Sequence, residues 1–141
     1  MVTLDVGSYI FQNGDVNVNL WKVPAKKPGA DFVRCDLNCG LPFVDGCFRN
    51  VFCYHVLEHI LNPYFLLDEL LGFSSFYVEI RGPWRFSGYA KNRGHLHFFN
   101  GSWFKKVLEK KNVKFLSSYL NLDTRHSIWS FPLEVVVRIY K

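Results

Sequence analysis

Long apolar runs are missing from this chain. Hydrophobic residues make up 49% of its 141 residues, yet no stretch reaches the roughly 18 residues that would span a bilayer as a helix. The opening Val2-Thr3-Leu4-Asp5-Val6 has none of the basic head, apolar stretch and small-residue cleavage site of a secretory signal. A cytoplasmic, fully folded protein with no membrane partner is therefore expected. CxxC pairs are absent too. The four cysteines, Cys35, Cys39, Cys47 and Cys53, match neither half of a zinc ribbon, and buried reduced thiols are the expectation. Internal repeats, low-complexity tracts and linkers are lacking, so residues 1–141 are read as one domain. Neither sign of charge dominates. Seventeen Lys and Arg against twelve Asp and Glu leave +5, which is compatible with an anionic ligand or nucleic acid but does not single one out.

What the chain does have is aromatic mass. Fourteen Phe, seven Tyr and four Trp exclude a disordered or low-complexity protein, and a domain of this size buries about 70% of its unfolded surface around one core.

Leu4-Asp5-Val6, Val16 to Leu20, Phe32-Val33, Val51 to Tyr54 and Phe76 to Ile80 are short β-branched or aromatic runs closed by turn residues, and they read as successive strands. Asn62-Pro63 predicts a helix start with Asn as N-cap, an apolar face of Phe65, Leu66, Leu67, Leu70 and Leu71, and a stop at Gly72. A second helix is predicted from Asn100-Gly101-Ser102. Trp103, Phe104, Val107 and Leu108 form its buried stripe, and Lys105, Lys106, Glu109, Lys110 and Lys111 face water. Lys114 to Tyr119 and Leu133 to Tyr140 predict two final strands paired antiparallel.

Alternating strands and helices imply an α/β domain with a mostly parallel central sheet and an antiparallel C-terminal hairpin. Only Gly7 to Gly14 separate the first two strands, fewer than the dozen or so residues a parallel crossover normally uses. Either the crossover is reduced to little more than a turn, or these strands are not parallel neighbours.

Ligands of open parallel sheets bind beyond the carboxyl ends of the strands. Those positions are Gly7-Ser8, Asn19, Asp36-Leu37-Asn38, His55 to His59 and Arg81-Gly82-Pro83. The order Leu4-Asp5-Val6-Gly7, Val16 to Asn19, Ala30 to Val33, Cys35-Asp36-Leu37-Asn38, Leu41-Pro42-Phe43-Val44-Asp45, Phe48, His55-Val56-Leu57-Glu58-His59-Ile60, Asn62-Pro63 and His95 to Phe99 resembles class I S-adenosylmethionine-dependent methyltransferases. The resemblance runs from residue 4 to about 110.

It implies a Rossmann-like fold with S-adenosyl-L-methionine as cofactor and methyl transfer to an acceptor that the residues do not identify: a small molecule, glycan, protein or nucleic acid. It also implies that Asp5 and Gly7 receive the methionine part of the cofactor, Asn19 the ribose hydroxyls, and Asp36 the adenine amino group with Leu37 beside the ring. His55 would face the cofactor and acceptor. An Asn can both donate to and accept from a hydroxyl, so Asn19 can serve where relatives carry an acid. His55, His59 and His95 are the candidate general bases, with His97 beside them, because imidazole titrates near neutrality.

The chain also departs from that pattern. Ser8-Tyr9-Ile10-Phe11 replaces a second glycine after the first strand, Arg49 follows Phe48 where relatives usually carry Asp, and Leu71 to Ser75 replaces a Lys-Pro-Gly-Gly turn. These departures sustain an alternative, a catalytically inactive binding or assembly module of the same fold, with Tyr9 or Phe11 filling the cleft.

Three local patterns carry second readings. His55-Val56-Leu57-Glu58-His59 satisfies the HxxEH pattern of a zinc protease, but that reading needs a helix through both histidines, and the flanking strand-like run and Asn62-Pro63 leave little room for one. No metal is expected, and Glu58 with His59 stands equally as a structural pair at a helix entrance. His95 and His97 alternate at strand spacing, which predicts one shared face, closing over the cleft or capping the next helix. Arg81, Arg85, Lys91 and Arg93, interleaved with Trp84, Phe86 and Tyr89, suit either stacking on a phosphate-bearing acceptor or a solvated loop. The short chain leaves acceptor recognition to the 81–100 segment, the 121–130 loop or a second subunit in a homodimer.

Overall fold

A computed structural model describes residues 2–7, 14–21, 27–85, 88–122 and 133–141, with the backbone alone at 88–89, 115–122 and 133. The strands are β1 (Thr3–Val6), β2 (Val16–Asn19), β3 (Asp31–Arg34), β4 (Phe48–Tyr54), β5 (Ser74–Pro83), β6 (Lys114–Leu122) and β7 (Leu133–Tyr140). The helices are α1 (Pro63–Phe73) and α2 (Gly101–Leu108), with 3₁₀ turns at Leu57–His59 and Gly88–Lys91. One seven-stranded sheet has the order β3-β2-β1-β4-β5-β7-β6. β1 pairs parallel with β2 and β4, as do β2 with β3 and β4 with β5, while β7 runs antiparallel between β5 and β6.

The uncertainty over the first crossover resolves in favour of a reduced one. Leu4 stands opposite Val16 in a parallel ladder, so the chain passes from Val6 to Val16 in fewer residues than a helical crossover uses. The Ser8 to Phe11 stretch lies outside the described residues.

Asn62 caps α1 as predicted, its Oδ1 accepting from the Phe65 N–H at 3.2 Å with Pro63 in the first turn. The buried stripe is Leu66, Leu67, Leu70 and Leu71, the i, i+3, i+4 rows that lie over the sheet. Phe65 is not part of it: it sits on the opposite side of the helix and is 45% exposed. Gly72 does not end the helix, which continues to Phe73 and passes straight into β5 at Ser74. A Cβ at Gly72 would lie 2.5 Å from Asp45 Oδ1, the end of an exposed side chain that can move aside.

Asn100 caps α2 by accepting from the Trp103 N–H at 2.9 Å, and Phe104 and Leu108 are its buried anchors. Lys111, expected to face water, is half-buried and ion-pairs with Asp68 of α1. The cysteines also differ from expectation: Cys53 is buried, but Cys39 and Cys47 are exposed, and all four are free. Burial pushes the Cys53 thiol well above its usual range.

Leu4, Val6, Val18, Val51, Cys53, Val78, Ile80, Val137 and Ile139 fill the core with the helix stripes. The alternate residues of β4, β5 and β7 face the other side of the sheet, where Phe52 meets Tyr77 edge-on at 5.9 Å and Tyr77 stacks on Tyr140 at 5.4 Å.

Candidate functional site

Connections from β1 lead outward through β2 and β3, and those from β4 lead the other way through β5. The carboxyl ends of adjacent β1 and β4 thus form a topological switch point, the crevice where open α/β sheets take ligands. Gly7 ends β1 there with φ +72°, in the left-handed region that only glycine enters without cost. Its N–H donates to the Val18 carbonyl at 2.7 Å. A Cβ on it would lie 2.4 Å from Val56 Cγ2 and 3.2 Å from Leu37 Cδ1. Gly7, buried Leu37 and Val56 therefore meet at one point, which brings the loops after β1, β3 and β4 together. Asp5, two residues earlier, is wholly buried within β1.

Asn19 and Asp36 flank this point at the ends of β2 and β3, which the Cys35 N–H ties together by donating to the Asn19 carbonyl at 3.2 Å. Asn19 Oδ1 accepts from the Leu20 N–H at 2.7 Å, which leaves its amide N–H₂ to face outward chemistry. Asp36 is exposed, and its Oδ1 accepts from the Asn38 backbone at 2.9 Å and side chain at 3.2 Å. This is an Asx turn. Both readings of Asp36 are thus compatible in one residue, since one oxygen forms the turn and the other has no partner among the described residues. Asn38 Oδ1 in turn accepts from the Leu61 N–H at 2.9 Å, fixing the β3 loop against the entrance of α1.

His55 follows β4 with φ +56°, an uncommon conformation for a side chain of this size. Its N–H donates to the Arg81 carbonyl at 2.7 Å, so the backbone ladder continues through the strained residue. The imidazole lies between two buried acids, with Nδ1 3.5 Å from Glu58 Oε1 and Nε2 3.1 Å from Glu134 Oε2.

From Glu134 a chain of alternating charge runs out along the sheet. Arg81 Nη1 lies 3.5 Å from Glu134 Oε1, and Arg81 also grips buried Glu79 at 2.6 Å. Glu79 accepts further from Tyr54 Oη and from Arg138 Nε, each at 2.7 Å. Burial pushes the Glu79 carboxyl up, but the bonds from Arg138, Tyr54 and Arg81 outweigh it and hold the group below its usual value. Burial, reinforced by Glu79, pushes the Tyr54 hydroxyl far up.

Arg81 was grouped with a substrate-facing basic segment. Instead its guanidinium is engaged by Glu79 and Glu134 and lies 4.4 Å over the Tyr54 ring. Arg85, Lys91 and Arg93 are exposed. Phe86 and the Tyr89 ring lie outside the described residues, as does 123–130 of the expected substrate loop. Glu79 and Glu134 escaped the sequence reading. Their available signal was an acid inside otherwise apolar runs, Val78-Glu79-Ile80 and Leu133-Glu134-Val135.

The histidines divide. His95 and His97 do not alternate along a strand, because 95–98 has no regular structure. His97 Nε2–H donates to the Ile60 carbonyl at 2.9 Å and its ring stacks on Phe99. His95 instead packs edge-on against His59, centroids 4.8 Å apart. Burial lowers the His95 imidazole below its usual value, against the opposing pull of Glu58. No helix carries His55 and His59 on one face: the segment between them is a 3₁₀ turn, and His55 turns to Glu134.

A depression of about 470 Å³ lined by Val2, Cys47, Arg49, Ser75 and Phe76 lies at the amino ends of β1, β4 and β5. It is at the opposite end of the sheet from all of these groups.

No family model and no curated protein matches the chain. Solved structures do. An S-adenosylmethionine-dependent methyltransferase from Mesorhizobium loti superposes with a TM-score of 0.68 at 11% identity, covering 99% of this chain and 90% of that one. A Haloferax volcanii methyltransferase solved in complex with the activator Trm112 gives 0.68 at 8% identity over 98% and 81%. The [4+2]-cyclase SpnF gives 0.68 at 12% identity over 99% and 73%. The chain has the Rossmann-like fold of class I methyltransferases, with the C-terminal antiparallel strands that fold carries.

Proposed function

We propose that the chain is an S-adenosylmethionine-dependent methyltransferase domain, with the cofactor held at the β1/β4 switch point. The observation that carries this reading is the convergence of Gly7, Leu37 and Val56 at that point, in a fold shared with S-adenosylmethionine-dependent enzymes. The donor set fits the group. Gly7 lets the loop after β1 pack directly against Leu37 and Val56, the Asn19 amide can donate to hydroxyls, and the second oxygen of Asp36 can accept from an exocyclic amine. Leu37 offers an apolar edge to a ring.

When bound, S-adenosylmethionine supplies a methyl group on a sulfonium, a good leaving group, so the protein's part is positioning and electrostatics. Leu37 and Val56 exclude water from the floor of the crevice. His55, oriented by the contact of its Nε2 with Glu134, stands just beyond the carboxyl end of β4, and a neutral imidazole there can take the acceptor's proton at Nδ1. His59, four residues further on, packs edge-on against His95.

Titration calorimetry with S-adenosylmethionine and S-adenosylhomocysteine tests the reading. Binding of both is expected, weakened about tenfold by Asp36→Ala, the loss of roughly one charge-assisted hydrogen bond. No binding of either at millimolar concentration overturns it.

A second reading has its own support. Asn19 Oδ1 and Asp36 Oδ1 are already committed to local backbone, and the same fold serves a cyclase and a methyltransferase that works with an activator protein. Binding of S-adenosylhomocysteine without turnover of any acceptor class would favour a binding or assembly module.

A further inference from the structure

Glu58, His59 and His95 come from two segments, the 3₁₀ turn after β4 and the stretch after Lys91, and one ligand atom of each lies within 4.8 Å of the others. Backbone bonds fix that meeting. The Glu58 carbonyl accepts from the Leu96 N–H at 2.7 Å and the His97 N–H at 3.3 Å, so the two segments are pinned whatever their side chains do. The rings are oriented as well. His59 Nδ1 is 2.8 Å from the Gly94 carbonyl and His95 Nδ1 is 3.3 Å from the Ala90 carbonyl. A carbonyl can only accept, so each Nδ1 carries the proton and each Nε2 keeps its lone pair. That is the tautomer and the outer support of a metal-ligating histidine.

The independent observation is Glu58 itself. The side chain is fully buried, and neither Oε1 nor Oε2 accepts a hydrogen bond. Its nearest polar neighbour is His55 Nδ1 at 3.5 Å. Buried carboxylates are normally satisfied by several donors, because burial without partners is costly. Here the carboxylate has the His55 ring at ion-pair distance but no hydrogen bond at either oxygen, and a ligand atom of it lies within 4.8 Å of one on each of His59 and His95. Exposed His59 gives the cluster a path to solvent.

We propose that Glu58, His59 and His95 form a binding site for one divalent first-row transition-metal ion, with zinc the ion most suited. One carboxylate and two neutral imidazoles on one side of a cation leave its other positions open to water or to an oxygen of an incoming molecule. The site is distinct from the HxxEH arrangement, in which His55 would be a ligand: here the second imidazole is His95, from far along the chain. It goes beyond methyl transfer and does not depend on it, since the ligands lie outside the Gly7, Leu37, Asn19 and Asp36 set.

Titration of the full chain with Co²⁺, read by its visible absorption, and with Zn²⁺ by calorimetry tests the site. One equivalent of each is expected to bind, with a nitrogen- and oxygen-ligated cobalt spectrum. His59→Ala, a change at an exposed residue that leaves the fold intact by circular dichroism, should weaken binding at least tenfold. Glu58→Gln and His95→Ala should do the same. The site is refuted by absence of binding, by unchanged affinity in His59→Ala, or by a sulfur-to-cobalt charge-transfer band assigning the ion to the cysteines. S-adenosylhomocysteine titration of the same variants is the separate readout of the cofactor crevice, so failure of one site is distinguishable from failure of the other.

Discussion

At the scale of single residues, Gly7 is the most constrained position of the crevice. Two penalties coincide there. An alanine would hold a left-handed backbone, at about 1–2 kcal/mol, and its Cβ would press on Val56, a stiff β-branched neighbour, with an overpacking cost of about 1–3 kcal/mol. Gly7→Ala is expected to lower unfolding free energy by about 2–5 kcal/mol in urea denaturation, and to weaken S-adenosylhomocysteine binding beyond what the remaining folded fraction explains. The glycine was legible in the sequence because a strand ended on it. Its reason was not, since Val56 and Leu37 reach it only through the fold. His55 is the counterpart. Its position after β4 was readable, but its left-handed φ and its place between Glu58 and Glu134 depend on β7, far along the chain.

At the scale of elements, β4, β5 and β7 are joined on one face by Glu79, which takes bonds from Tyr54, Arg81 and Arg138. Removing its charge would leave two arginines facing each other's neighbourhood across the sheet. Both arginines are partly solvated, at 30% and 41% exposure, so the cost falls below that of a fully buried pair, at about 2 kcal/mol for Glu79→Gln. The pH dependence has a definite sign. Because the folded carboxyl is held below its usual value, its contribution is complete above the unfolded carboxyl's pKa and disappears as pH falls through the folded one. Thermal unfolding followed from neutral to acid pH should show wild type losing its advantage over Glu79→Gln in that window. A constant difference at all pH values would contradict the assignment.

The elements themselves were largely legible, because strand runs and the Asn caps at 62 and 100 are local signals. What failed was what packing decides. Phe65 is apolar but points away from the sheet. Glycine often stops a helix, yet α1 runs through Gly72 to Phe73. Lys111 was assigned to water before Asp68 could be known to lie beside it.

At the scale of the whole molecule, the sheet order places all the carboxyl-end loops of β1 to β5 along one rim. The antiparallel pairing of the terminal strands is legible from spacing, whereas the short gap between β1 and β2 admits two arrangements, and the ladder shows the parallel one with a reduced crossover. The convergence of Glu58, His59 and His95 was not legible, because HxxEH directs attention to two histidines within one segment, whereas the structure brings His59 together with His95, which is remote in sequence.

The central claim is that the ligand crevice is this rim, at the β1/β4 switch, and not the depression at the other end of the sheet. Amide NMR of the full chain titrated with S-adenosylhomocysteine tests it most directly. The account predicts saturable shifts at Gly7, Asn19, Leu37 and Val56, with Val2, Cys47 and Phe76 unmoved. Shifts confined to Val2, Cys47 and Phe76, or none anywhere on the rim at saturating ligand, would contradict it.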